Sequence, residues 1–168
     1  MTMAEVTPSD VGLARTRIVL IAVGFALVGA ASGAIFDHNE WTLVVAPLPA
    51  AAAAIALVGR PALARLAAAI AAVIVAVIVT VVGAGGTSDD VVASFTSGFR
   101  GLLSTDWPSP LRPELLGSVA AFLATMCALG AELVSRRRFH LLGLLPLLLA
   151  YHGVVALSAP HGVTWSWL

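Results

Sequence analysis

The stretch Ile18–Phe36, IVLIAVGFALVGAASGAIF, carries no charge along its length and is bracketed by Arg15 and Arg17 before it and Asp37 and Glu40 after it. A helix needs roughly 20 such residues to cross about 30 Å of hydrocarbon. Four further apolar stretches follow, at Trp41–Val58, Ala62–Val82, Leu115–Val134 and Phe139–Ala159. Their spacing predicts an all-α, polytopic membrane helix bundle of five transmembrane helices plus one short outer amphipathic helix. A hydrophobic content of 60%, a charged content of 11% and a mean hydropathy of +1.00 exclude an ordinary soluble domain. The segment Ala30-Ala31-Ser32-Gly33-Ala34 is only generically small, and four spans follow it. The first stretch therefore reads as a retained helix rather than a cleaved signal.

The arginines set the expected orientation. Arg15, Arg17, Arg60, Arg65 and Arg136–Arg138 fall at one set of joints. The opposite joints carry Asp37, Glu40, Asp89, Asp90, Asp106 and Glu114, against Arg100 and Arg112. The positive-inside rule places the amino terminus in the cytoplasm and, after five crossings, the carboxyl terminus outside. Basic residues that are all arginine, with spans rich in alanine, valine and leucine, match the coding bias of GC-rich bacterial genomes, which is context only for the expected localisation, a bacterial inner membrane. The expected organisation is a cytoplasmic tail at 1–14, a membrane domain at 15–160 with an outer loop at 83–114, and an outer end at 161–168.

Small residues mark the expected helix contacts. Gly29 and Gly33 form a GxxxG pair, Ala22, Ala26, Ala30 and Ala34 share that spacing, and Ala50–Ala54 is continuous. In lipid such residues let helix backbones approach closely. Pro47, Pro49 and Pro146 are expected to bend the second and fifth helices.

The long loop carries the most information. Gly83-Ala84-Gly85-Gly86 ends the third helix, and Ser88 with Asp89 and Asp90 starts another. Val92, Phe95, Phe99, Leu102 and Leu103 recur at helical spacing and predict a short amphipathic helix over the bundle or on the membrane surface. Phe95, Phe99, Leu102 and Trp107 are the candidate partner surface. A purely structural cover is the other reading. Pro113 and Glu114 open the fourth helix.

Chemistry-bearing residues are sparse. Glu132 is a carboxylate within a span, and such groups often mark ion or proton paths. A local pair with Arg136, four residues on, with snorkelling toward the cytoplasmic end, explains it without transport and is the preferred reading. His152, with Tyr151 beside it, falls in the outer half of the fifth helix. It reads as a relay or, without transport, as a neutral histidine hydrogen-bonded between helices. Glu132, Tyr151 and His152 are the candidate intramembrane polar site. His38, His140 and His161 lack metal-ligand spacing, so no metal or cofactor is expected. Cys127, the one cysteine, reads as a small apolar filler. Neither a phosphate loop, a serine elbow nor a carboxylate pair occurs, and zero net charge offers nucleic acid no attraction. The chain reads as no enzyme.

The run from Phe99-Arg100-Gly101-Leu102-Leu103-Ser104-Thr105-Asp106-Trp107-Pro108 through Pro113-Glu114-Leu115-Leu116 resembles the N-terminal membrane domain of bacterial transglutaminase-like membrane proteins of the TgpA type. Ala131-Glu132-Leu133, Arg136–Arg138, Leu141–Pro146 and Leu157–Gly162 continue the similarity, which is clearest over Phe95–Gly162. In that family an extracytoplasmic transglutaminase-like domain with a Cys-His-Asp core follows the membrane helices. Nothing here matches that core. The resemblance implies a fragment of a longer protein or a stand-alone membrane half. The expected function is thus a non-catalytic module that anchors or positions an extracytoplasmic partner or domain. The alternative is a small ion-coupled transporter using His152 and Glu132.

Overall fold

A computed structural model describes residues 8–37, 40–105, 108–135 and 141–158. Among these every regular element is helical. Helix α1 spans Pro8–Ser32 and runs into a 3-10 turn at Gly33–Phe36. Then come α2 (Trp41–Val45), α3 (Leu48–Ala56), α4 (Ala62–Gly83), α5 (Ser88–Thr96), α6 (Gly98–Ser104), α7 (Pro113–Ser135) and α8 (Leu144–Ser158).

Three helices, Val11–Phe36, Ala62–Gly83 and Pro113–Ser135, are long and apolar enough to cross a membrane. At 1.5 Å per residue each exceeds about 30 Å. The other two apolar stretches are shorter than expected: Trp41–Ala56 and Leu144–Ser158 give only about 22–24 Å.

Proline explains the division of the second stretch. Pro47 and Pro49 lack the amide hydrogen that a continuous helix would need, so α2 stops at Val45 and α3 restarts at Leu48. Pro146 behaves otherwise. It lies in the first turn of α8 and leaves the helix beyond it regular, so the bend expected there is absent. Phe139 and His140, expected to begin this span, lie outside the described residues.

Helix α7 is the centre of the bundle. Its spanning window is 61% buried, against 28% for α4. Gly117, Ser118, Ala120, Ala121, Ala124, Cys127, Gly130 and Ala131 are all buried on it. These small side chains let α1, α3, α4, α5, α6 and α8 all reach one axis. Against α7, α1 turns Ile18, Ile21, Ala22, Phe25 and Val28 inward. The regular alanine ladder expected on α1 is only half a seam. Ala22 is buried, whereas Ala30 and Ala34 are exposed, because the close approach is made by Gly29 instead. A Cβ on Gly29 would lie 2.2 Å from the Leu43 carbonyl oxygen of α2.

Cys127 is fully buried in this core. The folded protein in mild detergent is therefore expected to resist a water-soluble maleimide, with prompt labelling once SDS opens the bundle. Rapid labelling of the folded protein would show that α7 is not the packed centre.

Candidate functional site

The α5–α6 segment starts with a reciprocal cap. The Thr87 amide donates to Asp90 Oδ2 at 2.7 Å, and the Thr87 hydroxyl lies 2.9 Å from the same oxygen. This moves the cap one residue ahead of Ser88. The helix then breaks at Ser97, giving two short helices where one was expected.

Of the five apolar residues at helical spacing, only Leu102 turns to the bundle. Ser94, Gly98 and Leu102 face the bundle, while Val92, Phe95, Phe99 and Leu103 remain exposed. Ser118 Oγ on α7 donates to the Ser94 carbonyl at 2.8 Å and sits equally close to its own-helix carbonyl of Glu114. A Cβ on Gly98 would fall 2.8 Å from that Glu114 carbonyl, and one on Gly117 would meet Ser94 Oγ at 2.1 Å. The segment is thus keyed to α7 by small residues on both partners. Ser94-x-x-x-Gly98 and the adjacent Gly117-Ser118 were the available sequence signal. In lipid small residues, rather than large ones, mark a buried helix face.

Of the expected partner-surface residues, Leu102 is a core residue at 2% exposure and belongs to no docking edge. Phe99 stacks edge-on against Phe122 of α7, with ring centroids 6.2 Å apart, and keeps one face open. Phe95 points to a groove along α4. Trp107 lies outside the described residues. The uncovered edge is therefore Val92, Phe99 and Leu103, with Val92 and Leu103 exposed by 62% and 72%.

The expected intramembrane polar site is not one site. Glu132 Oε1 accepts from Arg65 Nη2 of α4 at 3.1 Å, and Arg136 lies outside the described residues. The partnership is thus a bridge between helices rather than only a local affair of α7. Both side chains line a groove of about 1440 Å³ between α1, α3, α4 and α7. Tyr151 and His152 are elsewhere, exposed on α8, with their rings edge-on at 5.7 Å. His152 Nδ1 lies 2.7 Å from the Leu148 carbonyl of its own helix. That contact replaces the expected bond between helices. His38, His140 and His161 lie outside the described residues.

Among the described residues no three His, Cys, Asp or Glu side chains gather as metal ligands. Comparison of this chain with protein-family models, curated proteins and solved structures finds no match.

Proposed function

We propose that the chain is a non-catalytic membrane module that crosses the bilayer five times and positions an extracytoplasmic domain through α5–α6. Two sets of observations support the five crossings. The turn at Gly59, with φ +82, folds α4 back along α3, and the arginines alternate with the acidic joints in the order five crossings require. The two short apolar helices can span by local thinning of the bilayer and by burying their irregular ends against α1 and α7. On this reading the amino terminus is cytoplasmic, the carboxyl terminus is outside, and the membrane is the bacterial inner membrane.

The observation that carries the reading is the outward apolar edge of α5–α6. A segment locked to the central helix by glycine, serine and a buried hydrogen bond presents its large apolar side chains outward. Such a platform holds its docking edge fixed relative to the spans. The resemblance to the TgpA-type membrane domain supports a transglutaminase-like domain as the occupant. We favour this reading over a transporter that uses Glu132 and His152, because Glu132 lines the groove beside α4 and His152 lies exposed on α8.

A photoreactive residue at Leu103 tests this in native membranes. The expected product is an adduct with an extracytoplasmic protein domain, which Val92→Ser should diminish and a probe at buried Leu102 should not form. Adducts with lipid alone would make α5–α6 an interfacial anchor and overturn the docking role.

A further inference from the structure

The groove beside the Arg65–Glu132 bridge is built from one end of the bundle. Its walls are the start of α1, the end of α3, the first half of α4 and the last turns of α7. Among the described residues two arginines, Arg17 and Arg65, and one carboxylate, Glu132, line it, so that lining carries an excess of positive charge. Arg17 is half-buried and has no ion pair among the described residues. Arg65 uses Nη2 for Glu132, and its buried Nε has no hydrogen-bond partner among the described residues. Apart from Thr125 and Ser135 of α7 the rest of the described lining is apolar, running along α4 from Ala62 past Leu66 and Ile70 to Ile74, with Phe95 at the far end.

These dimensions separate the occupants. The run Ala62–Ile74 is about 18 Å long, close to the depth of one leaflet of a hydrocarbon core about 30 Å thick. The volume, about 1440 Å³, exceeds the roughly 300–1,000 Å³ typical of small-molecule pockets. A long apolar channel with guanidinium groups at one mouth matches an amphiphile with an anionic head. Basic pockets between spanning helices on the cytoplasmic side bind acidic lipid headgroups for this reason.

We infer that this groove holds an acidic glycerophospholipid, its phosphate at Arg17 and Arg65 and an acyl chain along α4 toward Phe95. The assignment to the cytoplasmic leaflet rests on the proposed orientation. The binding itself does not, since it depends on the groove alone.

The test is native mass spectrometry of the full chain in detergent, titrated with phosphatidylglycerol or phosphatidylcholine. Wild type should retain phosphatidylglycerol preferentially. Arg17→Gln should lower that preference about fivefold while leaving phosphatidylcholine binding unchanged. Ala69→Phe, which fills the channel beside Ile70, should reduce both lipids. Protection of Cys127 from maleimide verifies that each variant is folded. Equal retention of the two lipids by wild type, or a preference indifferent to Arg17→Gln, overturns the site. So does efficient disulfide formation between two copies carrying Ala69→Cys, which would assign the groove to a second copy of this chain. A reversed topology from reporter fusions would overturn the proposed orientation and leave a positive lipid titration standing.

Discussion

Gly29→Ala is expected to destabilise the bundle by roughly 2–3 kcal/mol, although it adds one methyl group and raises helix propensity. The added Cβ would stand 2.2 Å from the Leu43 carbonyl oxygen and 2.8 Å from its carbon. Both are backbone atoms, so no side-chain rotation relieves the overlap, and α1 and α2 must move apart. The reason this carbonyl lies so close to α1 is in the sequence of α2. Residue 47 is proline, so the Leu43 oxygen receives no amide four residues on. A glycine on α1 leaves room for that carbonyl where a Cβ would not. The same substitution at Gly12, also in α1, meets nothing within 4 Å. Gly12→Ala is expected to be neutral or to gain up to roughly 1 kcal/mol from helix propensity. Unfolding midpoints in mixed micelles of increasing SDS, read by Cys127 labelling, distinguish the two. Equal midpoints for the two variants would show that α1 and α2 do not meet at Gly29.

This contrast also marks how far residues alone could be read. The apolar stretches, the proline at Pro113, the turn at Gly59–Pro61 and the glycine stop after α4 each express local chemistry, and each corresponds to an element end. What resisted reading depends on partners far along the chain. Hydropathy gives the second stretch as one span because it is blind to where a proline frees a carbonyl. Helical spacing puts Phe95, Phe99 and Leu102 on one face. It leaves open whether that face meets the membrane surface, the bundle or a partner. Lipid supplies an equally apolar surroundings, so the buried side of α5–α6 goes to whatever packs most closely, Ser94 and Gly98. For Glu132, spacing points only to near neighbours such as Arg136, which lies outside the described residues, and not to Arg65. Arg65 is 67 residues away, and no periodicity connects them.

The bridge from Arg65 to Glu132 should dominate the electrostatics of the bundle. Its side chains are 26% and 32% exposed, and their surroundings are the apolar groove rather than open water. An exposed pair contributes about 0–1 kcal/mol, whereas removing one partner of a buried pair costs about 3–5 kcal/mol. This pair lies between those limits. Glu132→Ala is expected to cost roughly 2–3 kcal/mol, and Arg65→Ala somewhat less. The asymmetry follows from what each change leaves behind. Loss of Glu132 leaves a guanidinium whose buried Nε has no acceptor among the described residues. Loss of Arg65 leaves a carboxylate that retains another interaction. The double variant should be no less stable than Glu132→Ala, and the exchange Arg65→Glu with Glu132→Arg should recover part of the loss. Additive single effects, with no recovery on exchange, would mean that α4 and α7 are not coupled through this pair. A second readout is independent of stability. Glu132→Ala removes the carboxylate that lines the groove among the described residues and keeps both arginines, so retention of phosphatidylglycerol should rise even as the bundle weakens. Opposite movements of stability and lipid binding in one variant would place the bridge and the headgroup site at the same mouth.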